Sequence, residues 1–250
     1  MHDNLERHYN KKYLSAYPKY ANEYIPMRQY PCGRFEGCVH YFSKLFKGGK
    51  VLELSGGDGR IARSLMKYND NIESYYISEF TEQGASFLRQ NLTDSRFEIY
   101  QINAELVPES WEKQFDAIVM VALIEHLIDP LRAMQKIRKL LKPGGFIYID
   151  TPNIAKYTRR IKLFLGQFPS TASANEGLTT YEKNQVDMYD DGHLHYFTYR
   201  SLDRMLTEYC GFTQILKCGY GCEHLKIKSV EFMMGRVWPE MFSEIAIVAY

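Results

Sequence analysis

The sequence lacks an excess of charge of either sign: 31 Lys and Arg stand against 30 Asp and Glu in 250 residues. No global field draws such a chain to nucleic acid, an anionic membrane or an acidic substrate, so any charge selectivity has to be local. Long hydrophobic runs are missing too. AIVMVALI (117–124) falls far short of a bilayer span, and the opening MHDNLERHYNKKY is too polar for a secretory signal. The expectation is a soluble, cytoplasmic protein with neither a nucleic-acid nor a membrane partner. Cysteine is scarce. Cys32, Cys38, Cys210, Cys218 and Cys222 are odd in number and form no CxxC pair and no His/Cys cluster at zinc spacing, so they read as free thiols and no metal is expected. Repeats and low-complexity tracts are absent, and a chain of this length buries one large core.

What is present is an alternation of two hydrophobic periods. Residues 33–46 (GRFEGCVHYFSKLF) place Phe35, Val39 and Phe42 at helical spacing. Then KVLEL, SYYISE, FEIYQI, QFDAIVMVA and GFIYIDTP read as five short apolar strands, separated by the helical stretches IARSLMKYN, TEQGASFLRQNL and DPLRAMQKIRKLL. Strands separated by helices imply a parallel sheet covered on both faces. Beyond Pro152 a basic helical stretch, IAKYTRRIKLFLGQF, and a polar loop look like an insertion over the sheet. TYRSLDRMLTEYCGF is a helix closed by Gly211, and FTQILKC and SEIAIVAY supply two further strands. Twenty tyrosines, many in the first 41 residues and in 148–200, suggest a cover over a ligand as well as ordinary packing.

The turn in VLELSGGDGR (51–60) narrows the ligand. Gly57, Gly59 and Ala62 satisfy G-x-G-x-x-A, so a dinucleotide site has to be weighed. In such a site a pyrophosphate rests on the helix N-terminus. Here Glu53 ends the strand and Asp58 sits in the turn, so a phosphate would meet two carboxylates. A cationic ligand without phosphate is the better match, and S-adenosylmethionine, with its ammonium and sulfonium, is one.

Taken together, VLELSGGDG, ISEFT, INAE, FDAIVMVALIEHL, LKPGGFIYIDTPN and GHLHYFTYRSL resemble a class I S-adenosylmethionine-dependent methyltransferase of the small-molecule, ubiquinone-biosynthesis-like branch. The resemblance covers residues 51 to about 212. It implies a Rossmann-like α/β fold with a seven-stranded, mostly parallel sheet in one domain: a helical cover over 1–48, a cofactor core over 49–152, a substrate-side insertion over 153–200, and the end of the core over 201–250. It also implies S-adenosylmethionine as cofactor, S-adenosylhomocysteine as product, and a small-molecule methyl acceptor. The methionyl side would be lined by Glu53, Ser55, Gly56, Gly57 and Gly59, with Arg34 near the cofactor carboxylate. Glu79 would accept from both ribose hydroxyls beside Phe80. Asn103 and Ala104 would flank the adenine, near Val121. Ser55 replaces the first glycine of the family's loop, and Asn103 the usual aspartate.

Methyl transfer from a sulfonium is an in-line displacement, so the protein must position the nucleophile and, for a hydroxyl, take its proton. His126, in IEHL after the fourth strand, and His193, in GHLHYFT, are the candidates. His195 lies two residues on and could share a face with His193. Asn153, Arg159, His195 and Tyr196 are the candidate substrate contacts. Arg159, Arg160 and Lys162 could grip a phosphate or carboxylate of the acceptor, as in a nucleotide sugar. The competing readings are methylation of a small amine, a non-catalytic S-adenosylmethionine-binding subunit, and a nicotinamide-dependent oxidoreductase.

Overall fold

The computed structural model describes residues 2–13, 17–20, 22–172, 176–178, 189–221 and 227–250. Cys222 and part of the polar loop after Pro169 lie outside the described residues. Seven strands form a single sheet: β1 (Gly49–Leu54), β2 (Ile72–Glu79), β3 (Phe97–Gln101), β4 (Phe115–Val121), β5 (Leu141–Pro152), β6 (Gln214–Tyr220) and β7 (Glu244–Ala249). Their order is β3-β2-β1-β4-β5-β7-β6. The first five run parallel, while β7 is antiparallel to both β5 and β6. The parallel part is what the alternating periods lead one to expect, and the whole is the seven-stranded Rossmann-like class I arrangement that the resemblance implies.

The strands are short and apolar because both faces are covered. Leu52, Leu54, Ile118 and Met120 belong to one buried cluster. Val51, Ala117 and Val119, their neighbours in sequence, belong to the other. The first face packs against α6 (Pro130–Leu140) and α8 (Tyr199–Arg204). The second packs against α3 (Arg34–Leu45), α4 (Arg60–Tyr68) and α5 (Glu82–Asn91). Local signals set the helix starts. Asp129 accepts from the backbone N–H of Arg132 just ahead of Pro130, Thr81 caps α5 through Gly84 N–H, and Thr198 and Ser201 form a capping box on α8.

Two short N-terminal helices, α1 (His2–Tyr13) and α2 (Tyr17–Tyr20), precede α3. The basic stretch after Pro152 forms α7 (Tyr157–Phe164). The helix α9 (Lys228–Val237) has no counterpart in the sequence reading. Its Gly235 explains the seat on β6: an added Cβ would lie 2.2 Å from the Gly219 carbonyl oxygen, so only glycine permits this approach.

Candidate active site

Strand order reverses between β1 and β4, each of which continues the sheet in its own direction, and the crevice opens at their C-terminal ends. A cavity of about 340 Å³ lies there. Its floor is the turn Ser55–Asp58. Ser55 adopts a left-handed backbone, φ 67°, as do Gly57 at 54° and Gly59 at 75°. Ala122, at the end of β4 and also lining the cavity, has φ 50°. Left-handed non-glycine residues cost roughly 1 kcal/mol or more and gather at functional sites. The serine in place of glycine thus keeps the loop's conformation, under strain.

Two acids face the cavity from β1 and β2. Glu53 is buried; its Oε2 accepts from Tyr75 Oη at 2.8 Å, whereas Oε1 has no hydrogen-bond partner among the described residues. Burial, then the nearby charges of Asp58 and Glu79, push its carboxyl up to about 8, although the Tyr75 hydroxyl opposes the shift. Glu79 accepts from the backbone N–H groups of Gly57 at 3.2 Å and Phe80 at 3.1 Å. Burial outweighs these bonds and raises it to about 7. Two acids buried side by side, one with an oxygen that has no hydrogen-bond partner among the described residues, repel an anion once ionised and welcome a cation or a hydroxyl donor. Asn103, Ala104 and Val121 line the same cavity, and the Oδ1 of Asn103 caps the following turn through Glu105 N–H.

The far end of the cavity carries His126. Its Nδ1 lies 3.0 Å from the Gly192 carbonyl oxygen. A carbonyl only accepts, so Nδ1 holds the proton of the neutral ring and Nε2 keeps the lone pair. The His193 ring packs edge-on against it, with 4.8 Å between centroids, and its Nδ1 is 2.7 Å from Thr171 Oγ1. The chain brings the two together through Glu125, whose carbonyl accepts from Leu194 N–H and His195 N–H. The Glu125 carboxyl is buried, accepts from Thr151 Oγ1 at 2.9 Å and is raised by that burial. Glu125, His126 and His193 each offer a donor atom within 4.8 Å of the others, which gives this cluster the composition of a divalent-metal site. The aromatic cover closes above: Tyr9, Tyr17, Tyr20 and Phe35 line the cavity, and the Tyr9 ring meets both Phe80 and His126.

Other candidates stand elsewhere. Arg34 does not line this cavity. It is wedged between Asp150, 3.4 Å away, and Glu244, 2.9 Å away, and the arginine that lines the cavity is instead Arg60, held by Asp58 and stacked over Tyr20. Asn153 is fully buried, with Nδ2 donating to the carbonyls of Glu240 and Phe242. Arg159 donates to the carbonyls of Asn153, Ser170, Thr171 and Ser243. His195 Nε2 faces the Ile128 carbonyl rather than sharing the position of His193, and Tyr196 Oη donates to Asp190. The sequence reading missed Asp190 as the hub of this region. It is buried with left-handed backbone, φ 45°, and accepts from Ser170, Thr171 and Tyr196. An acid two residues before a glycine carries no signal of that role.

Comparison with known proteins bears on the same geometry. Residues 28–216 match the family described as a methyltransferase domain. The chain belongs to that family. Over 143 residues it is 28% identical to a ubiquinone biosynthesis O-methyltransferase of Aliivibrio fischeri, a match covering 57% of this chain and 58% of the relative. The chain spans about half the length of the curated relatives it matches. Among solved structures, the 1,6-didemethyltoxoflavin-N1-methyltransferase of Burkholderia thailandensis, with bound S-adenosylhomocysteine, aligns at TM-score 0.60 with 11% identity, covering 99% of this methyltransferase-family chain and 87% of its own. The cyclase SpnF aligns at 0.62 with 14% identity over 98% and 94%. One fold thus carries different chemistries, and the reaction has to be argued from the site.

Proposed function

We propose that the protein transfers the methyl group of S-adenosylmethionine to a hydroxyl oxygen of a small, mainly apolar acceptor. The observation that carries this reading is the joining, in one cavity, of two buried acids at the ends of β1 and β2 with an imidazole whose Nε2 lone pair is fixed by the Gly192 carbonyl. When bound, S-adenosylmethionine supplies a methyl group on a positively charged sulfur. Glu79 is placed to accept from paired hydroxyls and Glu53 to offset positive charge; both tasks call for the ionised carboxylate. His126 takes the acceptor's hydroxyl proton on Nε2 as the oxygen–carbon bond forms, and His193, braced by Thr171, backs that ring.

The acceptor's character follows from what surrounds His126. Tyr9, Phe80, Leu123, Leu127 and Ile128 give the cavity an apolar wall. Arg159 and Arg160, the donors that a phosphorylated acceptor would need, are committed to backbone carbonyls. The O-methyltransferase relatives support transfer to oxygen. The test is incubation with methyl-tritiated S-adenosylmethionine and a panel of phenols, sugar phosphates and small amines. Label in phenols is expected. Label confined to amines or sugar phosphates, or none across the panel, would overturn the assignment.

A further inference from the structure

Asp190 is a fully buried acid to which the methyl-transfer reading gives no task. It opens a run of three left-handed residues, with φ 45° at Asp190, 61° at Asp191 and 81° at Gly192. Aspartate tolerates that backbone better than most residues, yet two non-glycine residues in a row are strained and have to be held. The carboxylate holds them. Its Oδ1 accepts from Ser170 Oγ, and its Oδ2 accepts from Tyr196 Oη at 3.0 Å and from Thr171 N–H at 3.3 Å. Ser170 Oγ in turn accepts from Ala172 N–H, and burial, then the bond to Asp190, pushes the Tyr196 hydroxyl above its ordinary range. With donors aimed at both of its oxygens, the side chain serves as an acceptor-only carboxylate.

The turn leads straight to the imidazoles. His193 N–H donates to the Asp190 carbonyl at 3.2 Å, and the Gly192 carbonyl is the one that meets His126 Nδ1. Side chains make a second link. Thr171 Oγ1 lies 3.4 Å from Asp190 Oδ2 and 2.7 Å from His193 Nδ1. A hydroxyl has one hydrogen to give, and its two neighbours here are a carboxylate oxygen and an imidazole nitrogen. The charged acceptor takes it in preference to the neutral one. Thr171 Oγ1 is then the acceptor in its contact with His193, so the ring nitrogen facing it carries the proton.

We infer that Asp190 is a positioning residue, which acts through Thr171 to keep the proton of the neutral His193 ring on Nδ1 and the lone pair on Nε2. The Gly192 carbonyl sets His126 in the same way, so two imidazoles in ring contact share one tautomer. Without the carboxylate, Thr171 turns its hydrogen to His193 Nδ1 and the ring proton moves to Nε2. The proposal rests on the methyl-transfer reading only for its effect on rate.

The test is long-range proton–nitrogen NMR of the full chain at about pH 8, where an ordinary imidazole is neutral, which reads the tautomer of each ring without turnover. His126→Ala and His193→Ala identify the two sets of signals. The wild type should carry the proton on Nδ1 in both rings. Asp190→Asn keeps the shape of the side chain and its tolerance of the left-handed turn. It should move the His193 proton to Nε2 and leave His126 as it is, because a backbone carbonyl sets that ring. Thr171→Val, the second variant in case the first folds poorly, should also lose the proton on His193 Nδ1, and Thr171→Ser should restore it. A His193 ring protonated on Nε2 in the wild type overturns the inference. So does one tautomer common to all four proteins, or a disturbance of both rings together, which a loosened loop would cause. In turnover, Asp190→Asn should raise the acceptor's Michaelis constant by about tenfold and add nothing to His193→Ala, whereas additive losses would overturn the inference. A wild type that transfers no methyl group would refute the methyl-transfer reading, and the spectra would still decide this one.

Discussion

His126 Nδ1 lies 3.0 Å from the carbonyl oxygen of Gly192, 66 residues further along the chain. This contact fixes which nitrogen of the ring can take a proton, and it ties the ring to the segment after β5. His126→Ala should therefore lower turnover on a hydroxyl acceptor by about 10²-fold, with affinity for S-adenosylmethionine little changed. His193→Ala should fall less in turnover and more in the acceptor's Michaelis constant. Full turnover and an unchanged pH profile in both variants would remove the imidazoles from the mechanism.

The same cluster has the composition of a metal site, so the imidazoles could serve as ligands instead. If His126 acts as a base, turnover after exhaustive treatment with a chelator should match that of the untreated enzyme. Activity lost on chelation and restored by a divalent cation would assign Glu125, His126 and His193 to the metal.

The raised acids make ligand binding proton-linked. Glu53 at about 8 and Glu79 at about 7 hold protons near neutrality in the ligand-free protein. A ligand that needs both as carboxylates must expel protons, so affinity for S-adenosylmethionine should rise as pH is raised through 7 to 8. Calorimetry in buffers of different ionisation enthalpy should show net proton release near pH 7. Stability of the ligand-free protein runs the other way. Their folded values lie above the usual 4.5, so the folded state binds more protons than the unfolded one, and this contribution is lost as pH rises from about 4.5 through 8. Proton uptake on binding would contradict the assignment.

Arg34 shows where legibility in the sequence ends. Strands, helix starts and the glycine turn were readable because period, caps and turn residues are local signals, and the places of Glu53, Glu79 and His126 at the crevice were readable because each lies at or a few residues beyond the C-terminal end of a strand. Arg34, Asn153 and Arg159 have the right types and rough positions, yet their partners sit at Asp150, Glu244, Phe242 and Ser243, fixed by how β7 and the insertion fold back. A one-dimensional reading has no access to that return. Nor could it see that α9 would lie against β6 through its Gly235.

Arg34 also yields a test of its own. Burial opposes its charge, but Asp150, Glu244 and Glu125 outweigh that cost and hold it as a cation. Arg34→Met would leave the buried Asp150 without its counter-ion, a change that costs about 3 kcal/mol when a buried pair is broken. For a chain of this length that is a fall in Tm of roughly 6–12 °C. Unchanged melting with weakened cofactor binding would return Arg34 to the ligand.

Isothermal titration of the wild-type chain and Glu79→Gln with S-adenosylmethionine tests the central claim most directly. The account predicts one site per wild-type chain. It predicts affinity weaker by about tenfold or more in Glu79→Gln, with the folded baseline preserved, because a charged acceptor of ligand hydroxyls has been neutralised. Equal affinity in the two proteins, or binding of NADH in place of S-adenosylmethionine, would contradict it.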